Sequence, residues 1–280
     1  MKAHKIFFSI GLALSTVFAV SNSAKAASFT TNFTPNPANP KRDIFLQSIT
    51  QNGVTFTNFN FVNSANILRN KGITNRSLGG ASTDRGDQAT NPAGLPPKQN
   101  LVAGNAADAA AVAAYLGNNN LNNIIETEDD GFFTIDLRFE DLIAANSAGV
   151  DNLFFWERGG NSDLQIQALD VNGNLIGSSF KITRNLWTPA GFSIDTTEIG
   201  SAQAVSSYGL SFADLQLDST SVISGIRLTE ESDFNGPDFK VVAASSVCCV
   251  PVPEPTTILG LGSVAALALV RRRQMRKIAR

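Results

Sequence analysis

The chain predicts an all-β fold: an antiparallel β-sandwich of jelly-roll type with one lateral helix and a hydrophobic helix at the C-terminal end. Three observations carry this. From residue 132 onward, short segments rich in β-branched and aromatic residues recur, with Gly, Asn and Asp between them. A single alanine-rich stretch, residues 106–116, has helical character. The last apolar run is closed by a cluster of arginines.

Taken in order, Lys2 and Lys5 precede an apolar stretch over residues 6–20, and Ala24-Lys25-Ala26 follows as a small-x-small site. This is the pattern of a secretory signal peptide over residues 1–26, cut by signal peptidase after Ala26; the alternative is an uncleaved signal anchor. Residues 29–40 are rich in Pro, Asn and Thr and are expected to meander. Residues 54–62, VTFTNFNFV, alternate apolar and polar and predict one half-buried strand. Gly, Asn, Pro and charge dominate residues 63–99, which read as a long insertion. Asn105 can cap the helix over 106–116, and Gly117 can stop it in a left-handed conformation.

After the Asn118-Asn119-Asn120 turn, strands are predicted over 132–139, 150–156, 164–170, 175–182, 191–195, 208–212, 222–228 and 239–243. Gly159-Gly160-Asn161 and Asn172-Gly173 tolerate the positive φ of tight hairpins. Neither a repeat nor a low-complexity linker divides residues 27–246, so they are read as one domain. An outward aromatic girdle, which would favour a membrane barrel, is not evident.

Charge narrows the function classes. Three of the 22 basic residues precede residue 27 and six follow Val270, so residues 27–270 hold 13 basic against 24 acidic residues, a net charge of about −11. Such a surface repels nucleic acid, so no nucleic-acid partner is expected. The one histidine is His4, within the signal segment, which excludes His-dependent hydrolase triads and His-containing zinc sites from the exported chain. Cys248 and Cys249 are adjacent, where bridging would strain a small ring, so they cannot staple the body; pairing with another chain or remaining reduced are both open.

Several residues are candidate sites. Asp233, Asn235 and Asp238 form the best group of hard oxygen ligands for a structural Ca²⁺, ahead of Asp129-Asp130 and of Asp170 with Asn172 and Asn174; each also fits a turn former or a solvated acid. Trp156 and Trp187, with Tyr115 and Tyr208, are the residues able to stack on a sugar, although burial in the core is the simpler expectation for Trp156. Glu157, Glu140 and Asp163 are the obvious carboxylates for glycoside hydrolysis, but their spacing does not place two of them across a cleft, and Glu157-Arg158 reads as an exposed ion pair. Arg85-Gly86-Asp87 copies an adhesion tripeptide that arises easily by chance in a Gly-rich loop. The body is therefore expected not to be an enzyme.

The tail is the most specific feature. Pro251, Pro253 and Pro255 hold an extended, accessible peptide. Residues 256–270 follow as an apolar helix of roughly 22 Å, short against a hydrocarbon core of about 30 Å. Arg271, Arg272 and Arg273 with the later basic residues form a cytoplasmic stop. A plain C-terminal anchor shares this pattern. The order Val252-Pro253-Glu254-Pro255, apolar run, Arg-rich end resembles the PEP-CTERM sorting signal of exosortase substrates in Gram-negative bacteria, placed here over residues 251–280. That resemblance implies recognition by an exosortase-type peptidase, removal of the hydrophobic end, and delivery to the cell surface or the extracellular matrix.

The body carries a weaker resemblance. FFWERGGNSDL over residues 154–164, TDRGD over 83–87 and DFKVVAA over 238–244 are similar to cyanobacterial exosortase-dependent surface proteins. Together these features lead to the expectation of an exported structural or adhesive protein of the polysaccharide layer. A carbohydrate-binding module is the second reading and a glycan-acting enzyme the third.

Overall fold

The structure, a computed structural model, describes residues 28–71, 79–94, 99–146, 150–245 and 250–251. Among these, the strands run β1 (Thr30–Thr34), β2 (Phe45–Gln51), β3 (Val54–Phe56), β4 (Phe59–Asn60), β5 (Val62–Asn70), β6 (Ser82–Arg85) and β7 (Gln99–Asn100). Helix α1 (Ala106–Leu116) follows. Then come β8 (Asn123–Glu126), β9 (Phe133–Ala144), β10 (Leu153–Arg158), β11 (Leu164–Leu169), β12 (Leu175–Ile182), β13 (Thr188–Ile194), β14 (Gln203–Leu210), β15 (Val222–Glu230), β16 (Phe239–Ala244) and β17 (Val250–Pro251).

The fold is all-β, antiparallel and flanked by one helix, as the sequence predicts, but its layers number three. A central sheet in the order β13-β14-β10-β16-β8-β6-β7, with β4 also on β16, lies between a sheet β12-β11-β15-β9-β5 and a smaller sheet β1-β2-β3-β17. Alternation within β10 divides its side chains between two cores. Leu153 and Phe155 join Ile135, Leu137, Ile166, Ile226 and Leu228 in the larger core. Phe154 and Trp156 join Leu46, Ile49 and Phe56 in the second. A strand covered on both faces has no polar side to present, so its run Leu153 to Trp156 is continuously apolar rather than alternating.

Helix α1 occupies the predicted span and seals one flank of the larger core with Val112, Tyr115 and Leu116. Asn105 Oδ1 accepts from Ala107 N at 2.9 Å and Asp108 N at 3.1 Å, satisfying two of the first-turn donors. Asn105→Ala should therefore cost about 1 kcal/mol, lowering the melting temperature by about 2–4 °C; a variant that melts with the wild type would remove the cap from this account. The left-handed stop expected at Gly117 does not occur, since its φ is −82°. Glycine is required there for a different reason: a Cβ would sit 2.5 Å from both Ala113 O and Val62 O. At the same helix end, the buried Lys240 Nζ donates to Tyr115 O at 2.6 Å and to Asn118 Oδ1 at 3.3 Å, and burial lowers its pKa well below the usual lysine value.

Other expectations change at the chain's layer crossings. The single strand expected over 54–62 is three pieces, because β3, β4 and β5 each belong to a different sheet. The expected insertion over 63–99 contains β5 and β6, both largely polar. At the end of β5 the fully buried Asn70 holds β5 to the approach of β6 and to the residue after β7, its side chain bonding Ala81 N, Ala81 O and Leu101 O at 2.6, 3.0 and 2.6 Å. Of the two predicted hairpin turns, the one at Asn172-Gly173 forms between β11 and β12, with Gly173 at φ 90°; Gly159 and Gly160, at φ 102° and 65°, instead carry the chain from β10 in the central sheet to β11 in the five-stranded sheet.

Candidate functional site

One end of the central sheet gathers several of the buried charged side chains among the described residues. The last residue of β10 is Arg158, the last of β8 is Glu126, and Asp238 immediately precedes β16. Strand pairing brings these ends together, and β6 adds Asp84 beside β8. Arg158 Nη2 lies 2.6 Å from Asp238 Oδ2, and its Nε donates to the same oxygen at 2.8 Å. The other oxygen of Asp238 accepts from Thr127 N at 3.0 Å. Asp84 Oδ2 stands 3.9 Å from Arg158 Nη1, which also donates to Thr196 Oγ1. All three ionic side chains are buried.

Above this pair a cavity of about 140 Å³ opens, walled by loops after β8 and β13 and by the loop leading into β16. Glu126, Glu128 and Glu198 each place a carboxylate oxygen within 4.8 Å of the others'. Glu126 Oε2 also accepts from Ser82 Oγ at 2.6 Å. Burial, with Glu198 close by, pushes the Glu126 carboxyl far above the usual range, and burial also raises Glu128, with the Glu198 charge adding to it. Asp238 is likewise raised by burial, with Arg158 opposing the shift. Oxygen-only side chains at this spacing suit a hard cation or a shared proton, and offer nothing to a soft metal.

The residues singled out from sequence are distributed differently. Asn235 and Asp238 do line this cavity, but the Asp238 carboxylate is held by Arg158 and Thr127. Asn235 Nδ2 donates to Asn161 O at 3.3 Å, and Asp233 is exposed, engaged through its backbone oxygen by Arg184. The proposed Asp233, Asn235 and Asp238 ligand set is therefore not assembled. Asp170 is a turn former, its carboxylate accepting from Asn172 N and Asn174 N at 2.8 Å each.

Trp156 is 2% exposed, with Nε1 donating to Thr31 Oγ1 at 2.9 Å. Trp187 is 8% exposed, with Nε1 donating to Ser162 O at 2.7 Å. Neither ring offers a face to a sugar, because both fill cores. Glu157 and Arg158 do not form the exposed ion pair that their adjacency suggests: both are buried, and Arg158 pairs with Asp238. Asp163 is taken up by Arg184 and Lys181, and Glu140 is exposed on β9. In the Arg85-Gly86-Asp87 tripeptide, Arg85 donates to Gly86 O and Ala89 O while Asp87 pairs with Lys41.

Sequence reasoning missed Glu126, Glu128 and Glu198. The run Glu126-Thr127-Glu128-Asp129-Asp130 is a dense group of acids, yet its partner Glu198 is some seventy residues away and only the fold brings it near. The signal peptide, Cys248 and Cys249, the sorting residues Val252 to Pro255, the apolar run and Arg271 to Arg273 lie outside the described residues.

Residues 251–274 match the family model described as the PEP-CTERM protein-sorting motif. No curated protein and no solved structure matches the chain. The motif marks an exported protein that is targeted to exosortase, a membrane peptidase, and anchored transiently in the membrane before release at the surface.

Proposed function

We propose that this exosortase-targeted protein serves as a non-enzymatic structural or adhesive component of the extracellular polysaccharide layer. The observation that carries the reading is the sorting motif at residues 251–274, joined to a body of three packed antiparallel sheets. The body's described aromatic side chains are spent largely on its two cores, which suits a stable exported module. Its net acidity keeps it soluble and away from anionic lipid and nucleic acid. Export begins with removal of residues 1–26 by signal peptidase, and exosortase-type processing then removes the apolar end.

Intact-mass analysis of the protein recovered from the cell surface tests this. The expected mass lacks both the segment before Ala27 and the residues beyond about Pro255. A surface form that still ends in Arg280 would make the tail a permanent anchor and remove the matrix destination. Retention of the processed protein on host polysaccharide is the expected adhesive behaviour, and turnover of that polysaccharide would replace the reading with that of a glycan-acting enzyme.

A further inference from the structure

We infer that the outer edge of β3 is a docking surface for the chain's own sorting tail, and that the tail must leave this edge before a processing peptidase can take it. The inference rests on the exosortase-type processing proposed above. β17 (Val250–Pro251) closes the small sheet, with Val250 opposite Thr55 and Pro251 opposite Val54. Pro251 is also the first residue of the matched sorting motif. The motif therefore begins within a sheet of the folded body.

The backbone groups that make this contact follow from the turn on the other side of β3. Asn52 and Gly53, at φ of 52° and 75°, form a two-residue turn that leaves Gln51 opposite Val54. Its closing bond directs the Val54 N–H at Gln51 C=O, and pairs then alternate between bonded and unbonded along the strand. Val54 and Phe56 thus face β2, while Thr55 turns its N–H and C=O away from it. The Thr50 and Thr55 hydroxyls approach to 2.8 Å, as the side chains of a closely spaced, non-hydrogen-bonded pair do. Val250 is the residue that meets the outward groups of Thr55. Pro251 falls opposite Val54, whose groups are already spent on β2, so its lack of an N–H leaves no acceptor waiting.

The spacing of the prolines makes the contact a competitive one. Positions 251, 253 and 255 alternate, so in an extended chain all the missing N–H groups fall on one edge, and Val250, Val252 and Glu254 carry the donors of the other. A peptidase that grips this stretch as an added strand needs those donors. β3 occupies the first of them. A single bonded pair is a weak hold, which suits a segment that has to be handed over. The surface beneath it is firm: Phe56 is buried in the second core, Gln51 Nε2 donates to Asp151 Oδ2 at 2.6 Å, and Asp151 N donates to Gln51 Oε1 at 2.8 Å.

Thr55→Pro in the full-length chain is the test. Proline there removes the N–H that faces Val250 and keeps the bonds of β3 to β2. Val250→Pro breaks the same contact from the tail side, at a position outside the matched residues. Both variants are checked for wild-type circular dichroism, and either decides the matter if the other does not fold. Hydrogen exchange on the unprocessed chain in detergent micelles should find the Val250 amide protected, exchanging about tenfold faster in Thr55→Pro, with the Thr55 amide freed likewise in Val250→Pro. Pulse-chase in the exporting cell should show the tail removed faster from the variants than from the wild type. An unprotected Val250 amide in the wild type overturns the docking. Removal from a variant at the wild-type rate or slower, with its amide freed, overturns the competition. A tail that the wild type never loses, with its Val250 amide protected, overturns the processing reading itself and the competition with it.

Discussion

Trp156→Ala is expected to destabilise the body by about 3–5 kcal/mol, a large share of the about 5–15 kcal/mol that holds a typical domain. The indole fills the second core between the central sheet and the small N-terminal sheet, 5.6 Å from the Phe29 ring in an edge-on contact. Its removal opens a cavity that neighbours from two sheets cannot both collapse into, which is why truncation costs more than the transfer free energy of the ring. Trp156→Phe separates the contributions, keeping an aromatic ring but losing the bond from Nε1 to Thr31 Oγ1. That variant should lose about 1 kcal/mol for the bond, beyond any loss from the smaller ring. Urea unfolding of the three proteins makes the comparison. Should Trp156→Ala unfold at the wild-type midpoint yet lose retention on host polysaccharide, the indole is a sugar platform and the three-layer core is wrong at its centre.

How far the fold could be read from sequence follows from which faces its strands bury. Strands β11 and β12 have one face against a core and the other toward solvent, so their alternation survived into prediction, with β12 matched at both ends. Helix α1 was legible because a side-chain cap and an alanine-rich body are local signals. By contrast β10 is buried along its whole length, and its run Leu153-Phe154-Phe155-Trp156 implied either a second layer or a ligand without deciding between them. Sheet β1-β2-β3-β17 is that second layer. Strand β2 escaped notice because its buried apolar residues, Leu46 and Ile49, stand three apart rather than two.

The candidate site was less legible still. Aspartates and asparagines in loops were visible as possible ligands, but side-chain partnership depends on tertiary geometry. Arg158 lies next to Glu157 in sequence and pairs with Asp238, eighty residues on, because adjacent strand residues point to opposite faces. Asp84 and Glu126 came into the same neighbourhood only through the pairing of β6 with β8 and β8 with β16. A buried acid has no sequence signature distinct from an exposed one. The polar strand β6, Ser82-Thr83-Asp84-Arg85, therefore read as loop although its first three residues are buried.

Glu157→Gln is expected to stabilise the protein at pH 8 and to leave it nearly unchanged at pH 5. Glu157 is 1% exposed on β10; one carboxyl oxygen accepts from Gly160 N, and the other has no hydrogen bond. Burial, with the Asp238 charge adding to it, pushes its pKa up from 4.5 to about 8. At low pH the group is protonated in both the folded and unfolded chains and exerts no pH dependence. As pH rises through 4.5 the unfolded chain releases its proton while the folded chain keeps it, so stability falls until about pH 8, where the folded carboxyl ionises as well. At 1.36 kcal/mol for each unit, that fall amounts to about 5 kcal/mol as an upper figure. Glutamine keeps the shape and an acceptor for Gly160 N–H without a proton to retain, so its contribution does not change with pH. Urea unfolding of both proteins at pH 5 and pH 8 should show the stability difference widening by several kcal/mol in favour of Glu157→Gln at the higher pH. A variant less stable than the wild type at pH 8 would mean that Glu157 is ionised in the fold and compensated by a counter-charge, in which case the buried neutral carboxyl must be abandoned.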